Sequence, residues 1–192
     1  MVMEGYFRPT TGRTSAGRSL KGAPMKIHLK MLGSQRDAIV RDLLRPHEHA
    51  AERVGFVSCR FGNSESSLMV LAHTFHPVLD ENYEFDPGVG ARMNSGAIRS
   101  ALQVALSNDV GMFHVHLHDH RGLPGPSGVD WTEWQKFVPN FWHVRPQLPH
   151  GALILSRDRL SGWCWYPKRQ QPIPIERFSI VGRGMQSWRA VK

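Results

Sequence analysis

The sequence predicts an α/β (α+β) fold: a mixed, mainly antiparallel sheet flanked by helices. Three observations carry this expectation. Apolar runs of strand length adjoin in pairs across turn residues, segments with helical apolar spacing lie between them, and no internal repeat is visible along the 192 residues. A chain of this length, 41% apolar and 21% charged, suits one domain with a substantial core better than two.

The elements follow in order. Residues 1–24 carry Arg8, Arg13, Arg18 and Lys21 against Glu4 and lack apolar periodicity. They read as a basic, disordered arm, with the domain spanning 25–192. Met25 to Leu32 reads as the first strand, and Ser34 as the cap of a helix with the stripe Ile39, Leu43, Leu44, stopped by Pro46. Val54 to Cys59 and Ser67 to Phe75 read as a hairpin around Gly62-Asn63-Ser64, extended by His76-Pro77-Val78. Asn94 or Ser95 caps a second helix with Ile98, Ala101, Leu102, Ala105 and Leu106 inside, ending at Asn108-Asp109. A buried strand follows from Val110. The aromatic spacing Trp131, Trp134, Phe137, Phe141 gives a third helix, bent at Pro139. Ala152–Ser156 and Trp163–Tyr166 form a hairpin around 158–162, and Ile175–Val181 is a late strand.

Composition narrows the function classes. No apolar run reaches the length of a membrane span and no secretory signal pattern opens the chain, so the expectation is a cytoplasmic protein. Cys59 and Cys164 are too few and too far apart for a thiolate metal site, and their apolar contexts suggest reduced, buried thiols. A net charge of +8 implies attraction to something acidic. Nucleic-acid binding is the weaker form of that attraction, because the aromatics occupy core-like periodic positions and do not alternate with Arg on one face.

The chemistry concentrates in His114-Val115-His116-Leu117-His118-Asp119-His120 and, further on, Ser127-Gly128-Val129-Asp130. On a strand, residues i and i+2 share a face, which sets neighbouring imidazoles roughly 6–7 Å apart. Two such nitrogens and the Asp130 carboxylate form the ligand set of a catalytic zinc site with an open fourth position. A solvated, His-rich strand edge is the plainer alternative. Ser127 and Asp130 also fit a helix capping box, which would hold a ligand still and does not compete with metal binding. His120 reads as an exposed loop residue.

Together, Glu52-Arg53-Val54-Gly55 before a buried strand, His116-Leu117-His118, and Ser127-Gly128-Val129-Asp130 resemble the JAB/JAMM (MPN) zinc isopeptidase family. That family carries Glu-x-x-Gly, then His-x-His, about seven residues, and Ser-x-x-Asp. The segment from Pro77 to Tyr83, the helix before the His strand and the closing Ile180-Val181-Gly182 are similar, with less specificity, to bacterial members encoded beside ubiquitin-like conjugation enzymes. The resemblance covers about residues 25–185, with only the metal motif specific.

It implies a JAB/MPN-type fold with a curved sheet, and Zn2+ on His116, His118 and Asp130. It also implies Glu52 as general base and Ser127 as oxyanion donor, in cleavage after the C-terminus of a ubiquitin-like protein, by deconjugation or precursor processing. The implied partners are that modifier, its conjugates and possible cognate conjugation enzymes. The chain departs from the pattern in one respect: eight residues, not seven, separate His118 from Ser127. The pair His114 and His116 is the alternative, favoured by Gly111-Met112-Phe113 before it but requiring ten intervening residues. An extra residue in a Gly/Pro loop favours His116 and His118. A catalytically inactive scaffold of the same family is the competing class, although such proteins typically lose the His, Asp or Glu that this chain keeps.

Overall fold

The computed structural model describes residues 26–48, 50–63, 66–167, 169, 171–182 and 184–190. The arm expected over 1–24 lies outside them. Strand β1 (Lys26–Leu32) leads into α1 (Gly33–Leu43); β2 (Val54–Asn63) and β3 (Ser67–Pro77) form the expected hairpin; β4 (Tyr83–Glu84) and β5 (Arg92–Met93) form a small separate ribbon. Next come α2 (Ser95–Asn108), β6 (Gly111–Leu117), α3 (Gly128–Phe137), β7 (His150–Leu155), β8 (Leu160–Trp165), β9 (Ile173–Pro174), β10 (Arg177–Val181) and β11 (Gln186–Arg189).

The main sheet runs β11-β10-β1-β3-β2-β6-β7-β8-β9. It is mixed and mainly antiparallel, as expected, with parallel pairing at β1/β10, β1/β3 and β6/β7. The sheet curls. Trp188 of β11 donates its indole N–H to the Leu160 carbonyl of β8 at 3.2 Å, joining elements from opposite ends of the strand order. Inside the curl, Ile27, Leu29, Val57, Val115, Leu153 and Phe178 form one apolar cluster, and Ile39 and Leu43 of α1 seal it. The opposite face of β2 and β6, with Val54, Phe56 and Met112, packs under Ala97, Ala101 and Ala105 of α2. Burying these two clusters is the main stabilising contribution.

Three expectations change in detail. Ser34 is the second residue of α1 and not its cap; the Gln35 side chain instead accepts from the Leu32 N–H at 3.0 Å. Leu160, Ser161 and Gly162 belong to β8 and not to a turn. Gly162 is required within the strand because a Cβ there would lie 2.6 Å from Leu153 Cδ2 and 2.8 Å from the Ala152 carbonyl. The late strand begins at Arg177, after a break at Ile175 and Glu176. The bend at Pro139 is present: α3 ends at Phe137 and a 3₁₀ turn continues over Val138–His143. Cys59 and Cys164 are free and buried, and burial pushes both thiols up.

His150 joins β6 to β7 as a neutral ring. Its Nδ1 accepts the Met112 N–H at 3.1 Å, its Nε2–H donates to the Arg145 carbonyl at 3.2 Å, and it stacks on Phe141. Burial, partly opposed by the Arg145 carbonyl, lowers its pKa from 6.5 to about 4. Between those values the unfolded chain takes up a proton that the folded state refuses. Stability is therefore lost as pH falls from 6.5 toward 4, by roughly 3 kcal/mol at the limit for this residue. Urea unfolding should show a midpoint that declines over that window. His150→Asn keeps an acceptor but cannot protonate, so its decline should be shallower; an unchanged slope would place the acid sensitivity elsewhere.

Candidate metal centre

Strand β6 presents its histidines as period-two geometry requires. His114 and His116 share the face toward α2 and α3, while Phe113, Val115 and Leu117 enter the core inside the curl. Just past the strand end, the His118 N–H donates to the Leu155 carbonyl of β7 at 2.9 Å, which prolongs the extended path. Ring centroids of His114 and His116 are 5.6 Å apart, and those of His116 and His118 are 4.9 Å apart. His120 is exposed, as expected, with its ring turned to the Arg121 carbonyl.

Asp130 comes from α3, and the capping box fixes it. The Asp130 N–H donates to Ser127 Oγ at 3.1 Å, and the Ser127 N–H donates back to Asp130 Oδ2 at 2.7 Å. One turn on, Trp134 is 1% exposed and donates its indole N–H to His114 Nδ1 at 3.1 Å. This bond ties α3 to β6 and brings Asp130 over His116. The intervening eight-residue loop is also pinned: the Gly122 N–H donates to Asp158, and Ser156 donates to the Gly122 carbonyl. Gly122 sits at φ +92°, a conformation that glycine adopts without a side-chain clash.

His116, His118 and Asp130 offer ligand atoms that all lie within 4.8 Å of one another, the sole such group of three among the described residues. The Nε2 atoms of His116 and His118 are 3.1 Å apart; Asp130 Oδ1 is 3.4 Å from the former and Oδ2 is 3.8 Å from the latter. Bonds of ~2.0–2.1 Å at tetrahedral angles require ligand atoms about 3.3 Å apart, so these residues fit a small divalent ion. Burial holds the His116 ring well below its ordinary pKa, in the neutral form that ligation needs. His114, the alternative ligand, falls outside the group. Its Nδ1 is taken by Trp134, and its ring packs edge-on against Phe56 and Phe137.

Glu52, His114, His116, His118, Ser127 and Asp130 all line one cleft of about 680 Å³. Glu52 precedes β2, whose Val54 pairs with His116 of β6, so the sheet itself delivers the carboxylate to the centre. Burial raises the Glu52 pKa above the ordinary carboxylate value; His118 opposes that shift and Asp130 adds to it. A half-buried carboxylate of raised pKa beside a candidate metal centre is a candidate proton acceptor.

Residues 88–91, Met93 and Ile98 also line the cleft, and the sequence did not mark them as part of a site. Gly88-Val89-Gly90 lies in the connection between β4 and β5. Arg53 also carries weight that the sequence did not reveal. Its buried guanidinium donates to the Arg45 and Pro46 carbonyls and pairs with Asp80 at 2.6 Å, anchoring the segment that bears Glu52.

No protein-family model and no curated protein matched this chain.

Purified protein dialysed against a first-row divalent metal should retain about one ion per chain. His118→Ala should lose it. His114→Ala should keep it while losing on the order of 2–4 kcal/mol of stability, through the cavity and the orphaned Trp134 N–H. Metal retention in His118→Ala with loss in His114→Ala would move the centre one step up the strand.

Proposed function

We propose that this protein is a zinc-dependent isopeptidase or peptidase of JAB/JAMM type, cleaving after the C-terminal tail of a ubiquitin-like modifier. The observation that carries the reading is the convergence of His116, His118 and Asp130 at near-tetrahedral spacing with Glu52 lining the same cleft. Two imidazoles and one carboxylate, with room for a fourth ligand, form the donor set of catalytic rather than structural zinc. When bound, zinc supplies a Lewis acid that polarises the scissile carbonyl and lowers the pKa of a coordinated water to about 7.

The chain's own groups handle the protons. Glu52 takes a proton from the attacking water as its oxygen bonds to the carbonyl carbon, then delivers that proton to the amine as the C–N bond breaks. Ser127 Oγ, already oriented by the Asp130 N–H, keeps its hydroxyl proton free to donate to the developing oxyanion. His114 stays out of the proton path: Trp134 occupies its Nδ1 and burial keeps it neutral. An extended tail laid between segment 88–91 and the His strand suits the open cleft. The favoured partner is a bacterial-type ubiquitin-like protein and its conjugates, and the favoured compartment is the cytoplasm. Among the described residues, no helix is long and apolar enough to cross a membrane.

The test uses ubiquitin-like proteins bearing a C-terminal 7-amino-4-methylcoumarin amide. The zinc-loaded protein should release the fluorophore from at least one of them. Glu52→Gln should retain zinc and melting temperature yet turn over roughly 10²–10⁴-fold more slowly, because Gln is nearly isosteric but accepts no proton. Near-normal turnover by Glu52→Gln would remove the carboxylate from the mechanism.

A further inference from the structure

Glu52 is held from its backbone outward. Its N–H donates to the Gly90 carbonyl at 2.9 Å. The next residue, Arg53, is clamped by the Arg45 and Pro46 carbonyls and by Asp80. Beyond it, the Val54 N–H donates to the Tyr83 hydroxyl at 2.8 Å, and that hydroxyl donates back to the Val54 carbonyl at 3.2 Å. With the main chain fixed on both sides, the freedom left to Glu52 lies in its side chain.

That side chain rests against the bare Cα of Gly90. A Cβ placed at residue 90 would lie 2.9 Å from Glu52 Cδ, 3.0 Å from Oε2 and 3.3 Å from Cγ. All three nearest atoms belong to Glu52. Gly90 is not among the glycines at positive φ, so its backbone does not itself require glycine. What a side chain at residue 90 would meet first is the outer part of the Glu52 side chain, which would have to move. Segment 85–91 is braced in turn: Asp86 accepts the Gly88 N–H at 2.9 Å and an Arg92 N–H at 3.0 Å, and Arg92 also pairs with Glu84 at 3.2 Å.

We propose that Gly90 is a positioning residue for the Glu52 carboxylate: its carbonyl fixes the Glu52 main chain, and its missing side chain fixes where the carboxylate sits in the cleft. The wall along which substrate would lie and the group that moves the proton are thereby one unit. This rests on the reading of Glu52 as proton carrier. A carboxylate moved by about 1 Å is enough to cost on the order of 10²-fold in rate.

Gly90→Ala, Glu52→Gln and the double variant decide it, with zinc content, melting temperature and turnover of the coumarin amide measured on each. Gly90→Ala should keep zinc and fold and leave KM within a few-fold, while kcat drops about 10–100-fold. In the Glu52→Gln background the same substitution should cost nothing further, because the group it displaces no longer carries a proton. Crystals of zinc-loaded Gly90→Ala should show the carboxylate displaced with segment 85–91 in place. Equal losses in both backgrounds, or an unmoved carboxylate beside a displaced segment, would overturn the proposal. Full kcat in Gly90→Ala beside an inactive Glu52→Gln would remove Gly90 alone. Full activity in Glu52→Gln would remove the reading it rests on.

Discussion

The site depends on the packing of α3 against β6 around one buried hydrogen bond, from the Trp134 indole N–H to His114 Nδ1. That bond is made in a buried aromatic environment, where an unsatisfied donor would cost about 1–3 kcal/mol, so the two groups hold each other firmly. Trp134 sits on α3 one turn after Asp130, and His114 sits on β6 one same-face step before His116. The bond therefore works together with the packing around it to hold the two elements that supply ligands. The surrounding Trp131, Trp163 and Trp165 pack against the same indole and leave the helix little room to slide.

The electrostatics follow from that packing. A ligating imidazole must be neutral, and burial, aided by the neighbouring His118 and opposed by Asp130, lowers the pKa of His116; burial does the same at His114 beside it. Two ion pairs flank the site. Arg53 and Asp80 pair beside the Glu52 segment, and Arg157 and Asp119 pair at the exposed start of the loop that follows His118. Both pairs restrain chain segments that flank the centre. The Glu52 carboxyl stands between these regimes, buried enough for a raised pKa and open enough to meet water in the cleft.

Much of this was legible in the residues because the relevant signals are local. Alternation of histidines over a strand declares a shared face, and Ser127-x-x-Asp130 declares a helix start that immobilises a carboxylate. The hairpin of β2 and β3 and the bend at Pro139 were readable for the same reason. What escaped depends on partners distant in sequence. The parallel pairing of β1 with β3 and β10 leaves no turn signature. The short β11 shows little beyond Trp188. Gly162 looks like a turn residue until Leu153 of the neighbouring strand is seen to fill the place of its side chain. Arg53 and Gly90 carry no motif at all; their roles exist only once Asp80 and Glu52 are brought to them by the fold.

The central claim is that one metal ion is held by His116, His118 and Asp130 with an open position facing Glu52. Anomalous diffraction at the zinc absorption edge, on crystals grown with zinc, tests it most directly. The account predicts a single strong peak within ~2.0–2.2 Å of both Nε2 atoms and a carboxylate oxygen of Asp130, with its fourth position opening into the cleft. A peak bound through His114, a centre closed by a fourth protein ligand, or no peak at these residues under saturating zinc would contradict it.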